Sequence, residues 1–259
     1  MSLLGVRSAR RIVTVLTLFL AQQAEVQVSG GRPGSGPAGQ TETRCGKRVV
    51  LLEQNGGLEL VHDIVRECLY EGLTSTVRQT THQAIARALR EVHRGALDPI
   101  RAALARQHER ASEPDMALRE WAAALDRAAG GQARLDVLAI GARIESLTGL
   151  VSDINACDAL CRVADAYDHV GEFWAEKRVT PLLHVRGRRL RIPDLAVRIA
   201  LIGTRASSLT GARDDFVAYL DEAWALLDRG HGTVEQRAEA MMVRGLSAME
   251  LGRTDEAES

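Results

Sequence analysis

The sequence predicts an all-α fold, an α-solenoid of helical hairpins preceded by a short β-hairpin. Three observations carry this expectation. Gly131, Gly171, Gly211 and Gly252 are separated by 40, 40 and 41 residues. Each follows a run with apolar residues at helical spacing, as in CDALCRVADAYDHVG and RAEAMMVRGLSAMELG. Apolar residues make up 46% of the chain but aromatics only 3%, so the core must be built from Leu, Val, Ile and Ala. That composition favours closely packed helices over a β-sandwich. A helical hairpin repeated at a fixed period is the mark of a solenoid.

Residues 1–46 read as a poorly structured N-terminal segment and a linker. Arg7, Arg10 and Arg11 precede the apolar run Ile12–Ala21. The order resembles the first two regions of a signal peptide. The run is shorter than the roughly 20 residues that span a bilayer. Phe19 and Gln22 stand where a cleavage site wants small residues, so a cytoplasmic buried helix or strand is the preferred reading. Secretion and a mis-started or rearranged N-terminus are the alternatives. The stretch 29–47 is rich in Gly, Pro and Ser, as flexible linkers are. Its CGKR ending is not a phosphate loop. Thr41 replaces the required glycine, and Arg48 replaces the magnesium-binding Ser or Thr.

Residues 47–95 predict strands near 48–53 and 58–61 around Asn55-Gly56-Gly57, a favoured hairpin turn. Val61, Ile64, Val65, Cys68, Leu69 and Leu73 then form a helical stripe. A second helix is expected from Ser75 to Val92, capped by Thr74 or Ser75.

From residue 96 onward, helices are expected near 98–110, 113–129, 133–148, 153–170, 172–185, 194–209, 213–229 and 234–251. Asp98-Pro99, Ser112-Glu113-Pro114 and Pro193-Asp194 mark starts. Each spaced glycine can end a first helix by taking a left-handed conformation. At the first repeat, Gly130 competes with Gly131. Seven positions before each glycine stands Ala124, Ala164, Thr204 or Gly245, small enough for close helix approach. Little sequence follows Gly252, so Met241, Met242, Leu246 and Met249 would lack a second helix to cover them. We expect a fragment or truncated form, or a face that binds something, self-association included.

A strand, VHDIVRE, and a helix carrying R..TH.AIARAL resemble the end of the winged-helix domain in STAND-type ATPases. These include LuxR-family, maltose-activator-like transcription regulators. The matching residues are Leu60, His62, Asp63, Val65, Arg66, Tyr70, Arg78, His82, Ala86 and Leu89. Val61-His62-Asp63 also resembles the superfamily's Met-His-Asp signature. Leu104, His108, Ala111, Ala117, Trp121, Ala124 and Ala128 fit the Ala-rich helices that follow the winged helix in these regulators. The closing LGRTDEA is similar to tetratricopeptide-like helix pairs. The resemblance covers residues 50–259. It implies a partial winged-helix segment at 47–95 and tetratricopeptide-like repeats over 96–259. It also implies a nucleotide-sensing role for His62, with Asp63 as its helix-starting partner. Imidazole can donate to phosphate, and aspartate suits a first helical turn. No cofactor is expected of this chain; ATP or ADP would require the nucleotide-binding domain that such regulators carry upstream.

Other chemistries find little support. Cys157 and Cys161 lie four apart on a helix, the wrong spacing for a C-x-x-C site, and read as small buried residues in a reducing compartment. No two of the seven histidines are spaced i, i+3 or i, i+4, so no helical metal pair is expected. His82 and His108 read as packed helix residues. Ser207, Ser208 and Asp214 lack a G-x-S-x-G elbow. The stretch 184–193 gathers Arg186, Arg188, Arg189 and Arg191 into a predicted loop. It is a contact for an anion or acidic partner, or a solvated loop neutralised by Asp194 and Glu176. Net charge is −1, and no aromatics interleave these arginines, so no nucleic-acid or membrane partner is expected. Trp121, Phe173, Trp174, Phe216, Tyr219 and Trp224 read as core anchors. The expected function is a non-catalytic, signal-sensing module that binds a protein, peptide or small effector. The alternative is a stand-alone adaptor.

Overall fold

A computed structural model of the chain describes residues 70–250, with side chains to residue 245, and the backbone of four short strands between residues 41 and 60. The apolar run 12–21, Cys45, His62, Asp63, Cys68, Gly252 and the closing LGRTDEA lie outside the described residues. Strand β1 (Thr41–Glu42) pairs antiparallel with β2 (Arg48–Val49), and β3 (Leu51–Gln54) with β4 (Gly57–Leu60). Each is a separate two-stranded ladder. Neither ladder distinguishes a winged helix from any other hairpin.

Nine α-helices follow among the described residues: α1 (Ser75–Val92), α2 (Arg101–Arg110), α3 (Pro114–Gly130), α4 (Arg134–Leu147), α5 (Asp153–His169), α6 (Phe173–Leu190), α7 (Pro193–Leu209), α8 (Arg213–Leu227) and α9 (Val234–Glu250). The chain divides into two compact units, one ending at Glu113 and one starting at Pro114.

In the first unit α1 packs on α2. The Thr74 hydroxyl caps α1 by accepting from the Val77 N–H. His82, buried as expected, receives the Tyr70 hydroxyl on Nε2 at 2.8 Å and donates from Nδ1 to Gln107 Oε1 at 2.7 Å. Burial holds its imidazole below the ordinary value, so the ring is neutral and both nitrogens are matched. Arg78 stacks over the Tyr70 ring at 5.6 Å. His108, also buried, meets Glu113 at 2.6 Å. Of the residues that carry the family resemblance, His82 thus joins α1 to α2 through Gln107, while Tyr70 and Arg78 pack beside it and His108 pairs within its own helix end.

The second unit has two layers. The first helices of successive hairpins, α3, α5, α7 and α9, pack side by side. The second helices, α4, α6 and α8, cover them, joined laterally by Arg178–Glu145, Lys177–Asp215 and His184–Glu222 pairs. Ala124, Ala164 and Thr204 are buried, as their spacing predicts. Val197, Ala200, Leu201, Ala223, Leu227 and Ala240 form one cluster across α7, α8 and α9. Cys157 and Cys161 are buried and unpaired to each other; burial pushes the Cys161 thiol up to about 12, which keeps it an inert packing group.

The bends follow the glycines, with one correction. Gly171 and Gly211 take φ of +75° and +72°. The Glu172 and Ala212 N–H groups bond back to the Tyr167 and Ser207 carbonyls at 2.8 and 2.9 Å, which closes each first helix in a Schellman turn. At the first hairpin the left-handed residue is neither Gly130 nor Gly131 but Gln132, at φ +54°. Its neighbour Ala133 bonds to the Ala128 carbonyl in the same pattern at 2.9 Å. A side chain in that conformation costs about 1–2 kcal/mol. Gln132→Gly should therefore stabilise the unit by about 0.5–1 kcal/mol, and Gly171→Ala should destabilise it by about 1 kcal/mol. Urea denaturation of the two variants would show opposite shifts in midpoint.

A second correction concerns residues 184–193, which do not form a loop. Helix α6 runs to Leu190 and only Arg191, at φ +53°, turns out of it. Gly187 reads as a loop residue but sits in the helix for a packing reason. A Cβ there would lie 2.4 Å from Ile199 Cδ1 of α7. Pro181 is carried inside the same helix, where its missing N–H costs one ladder bond.

Candidate functional site: a cavity with a basic rim

The end of α6, the start of α7 and the flank of α8 border an open-sided cavity of about 200 Å³. Its wall is apolar: Ile192, Pro193, Ala196 and Ile199 from the α6–α7 corner and Leu226 from α8. Local sequence explains the shape. Arg191 turns the chain through a left-handed residue, and Pro193 then starts α7 with its fixed φ. Gly187 lets Ile199 approach α6 closely, which draws the corner together.

The four arginines of the sequence reading separate into two pairs. Arg186 donates to Asp153 Oδ1 at 2.7 Å, and Arg189 lies 3.9 Å from the same carboxylate. Their neutralising acid is thus Asp153, where Asp194 and Glu176 had been expected. Asp194 instead accepts from the Gly232 N–H at 2.8 Å, and Glu176 pairs with Arg205. Arg188 and Arg191 line the cavity, are exposed, and meet no carboxylate within ion-pair distance among the described residues. One wall carries His184, whose Nε2 contacts Glu222 at 2.9 Å and whose ring tilts on Tyr219 at 5.1 Å. Glu222 lines the cavity as well, so Arg188 and Arg191 share its mouth with one carboxylate.

A second polar cluster lies between α5, α6, α7 and α9. Arg205 reaches Asp165 at 3.1 Å, Asp168 at 3.5 Å, Glu176 at 2.7 Å and Glu239 at 4.0 Å. Arg198 joins Asp165 at 2.8 Å. Glu176 is fully buried, and one of its oxygens has no partner. Burial pushes its carboxyl up to about 7, while Arg205 pulls it down in part. Burial also lifts Glu239, against the pull of Arg205. Both guanidiniums here are matched by the chain's own acids, so the cluster ties helices together and leaves no positive charge to spare for an anionic ligand.

The remaining candidates are dispersed. Trp121 is buried as expected, but Trp174 is 71% exposed and is not a core anchor. Phe173, Phe216, Tyr219 and Trp224 are half-buried. Ser207 and Thr204 are buried, and the Thr204 hydroxyl donates to the Ala200 carbonyl within α7. Among the described residues no three His, Cys, Asp or Glu side chains could hold a metal, and no helix is long and apolar enough to cross a membrane. Met241 and Met242 on α9 are exposed. Sequence reasoning missed the cavity, the pairing of Arg186 with Asp153, and the Arg205 network. The separation of thirty to forty residues between partners such as Arg198 and Asp165 follows the repeat period and was the available signal.

Comparison with models of known protein families, with curated proteins and with solved structures finds no match to this chain.

Proposed function

We propose that the chain is a non-catalytic, partner-binding helical-repeat module of a LuxR/STAND-type transcription regulator acting in the cytoplasm. The observation that carries the binding part is an exposed apolar stripe on α6. Trp174, Leu182 and Val185 lie on one side of that helix and are mostly or half open to solvent. An apolar patch kept on an otherwise charged surface is the usual mark of a protein-contact site. The regulator part is supported by the resemblance through His62, Asp63, Tyr70, Arg78 and His82. In that reading the array biases a closed, nucleotide-held state against an open one by binding one of them better. The module carries no cofactor; ATP or ADP belongs to the nucleotide-binding domain of such regulators.

The test uses the full chain. Cross-linking in source cells should give links from α6 to one partner, and Trp174→Glu should abolish them. Links that persist in this variant argue against the stripe. Micromolar binding of ATP or ADP to this chain would refute the reading that it lacks its own nucleotide site. Coding sequence for a phosphate loop upstream and a helix-turn-helix downstream would favour the regulator over a stand-alone adaptor.

A further inference from the structure

We infer that the cavity between α6, α7 and α8 binds a small amphipathic carboxylate, an anionic head group on a short apolar body. The inference stands apart from partner docking on the α6 stripe. Its grounds are the match between wall and rim. Ile192, Pro193, Ala196, Ile199 and Leu226 offer only carbon to whatever enters. Arg188 and Arg191 stand at the mouth without an ion-pair partner, in contrast to Arg186, Arg198 and Arg205, which all have one. An apolar pocket with a few polar groups placed to orient the ligand is the common form of a small-molecule site. The guanidinium fork matches a carboxylate in two parallel hydrogen bonds.

Two acids lie close by, Glu222 against His184 and Asp194 against the Gly232 N–H, and neither reaches Arg188 or Arg191 within ion-pair distance. The volume limits the body. About 200 Å³ holds six or seven groups of roughly 30 Å³, the volume of a liquid water molecule. The body of a medium-chain or single-ring carboxylate fits this volume.

Calorimetric titration of the full chain tests the assignment with octanoate, 1-octanol and acetate. Octanoate should bind saturably at one site, at millimolar affinity or tighter for its ten heavy atoms. Octanol, which keeps the body and lacks the charge, should bind at least tenfold more weakly, and acetate should give no heat. Arg188→Gln/Arg191→Gln changes two exposed side chains and should weaken octanoate at least tenfold, with the helical circular dichroism unchanged. Ala196→Trp should fill the cavity and abolish binding. The inference is overturned if octanoate does not saturate, if octanol binds equally well, or if the arginine variant binds as wild type does. It is equally overturned if an acidic peptide with one apolar anchor binds the arginine rim and octanoate cannot displace it, since the occupant would then be a protein segment.

Discussion

Arg205→Leu should destabilise the second unit by about 3–5 kcal/mol, the usual cost of removing one partner of a buried pair. Single-domain stabilities are about 5–15 kcal/mol, so the variant should be close to unfolding at 37 °C. The cost arises less from lost attraction than from what is left behind. Glu176 is fully buried and already has one oxygen without a partner. Arg205 supplies its counter-charge at 2.7 Å, and also holds Asp165 and Asp168 of α5. Leucine fills much of the space but leaves the Glu176 carboxyl buried without its counter-charge. Arg205→Leu/Glu176→Gln should therefore be more stable than Arg205→Leu alone. Failure of glutamine to rescue, or a cost under about 1 kcal/mol for the single variant, would show that the pair is solvated.

The same pair gives the fold a pH dependence. Burial raises the Glu176 carboxyl from 4.5 to about 7. Between those values the folded chain holds a proton that the unfolded chain has released. Stability from this group is therefore fullest below pH 4.5 and is lost progressively as pH rises from there through 7. Glu239, lifted in the same direction, adds to the slope. Glu176→Gln should flatten the dependence of the urea midpoint between pH 5 and 7.5, and Arg205→Leu should steepen it.

How much of this was legible depended on the kind of signal. Helix positions were, because apolar spacing, Pro99, Pro114 and Pro193 act locally. The bends were legible at Gly171 and Gly211, where glycine relieves a left-handed backbone. They were misplaced at the first hairpin because Gln132 bears that conformation and nothing in its side chain announces it. The 184–193 stretch was misread for a related reason. Gly187 and four arginines look like a loop when only the chain's neighbours are considered, but Gly187 answers to Ile199 of another helix. The cavity depends on that contact and on Arg191 turning the chain, so the special position of Arg188 and Arg191 emerges only in three dimensions.

Tyr167→Ala should cost about 3–5 kcal/mol, as large-to-small changes of buried aromatic side chains do. Tyr167 of α5 is fully buried against α4, at the point where Gly141 leaves no side chain. A Cβ on Gly141 would lie 2.4 Å from the Tyr167 hydroxyl oxygen and 2.7 Å from the ring. The hydroxyl donates to Glu145 at 2.9 Å, and Arg178 of α6 donates to the same carboxylate oxygen. One ring thus joins three helices by packing and by a shared acceptor. Tyr167→Phe should lose only the hydrogen bond, about 1 kcal/mol, which separates the two contributions. The decisive measurement is a change of sign. Gly141→Ala should destabilise the wild-type chain through overpacking, by about 1–3 kcal/mol. In the Tyr167→Ala background the same substitution meets a cavity and should stabilise, aided by the better helix propensity of alanine. If Gly141→Ala has the same effect in both backgrounds, the glycine does not exist to admit the ring, and the close approach of α4 to α5 needs another cause.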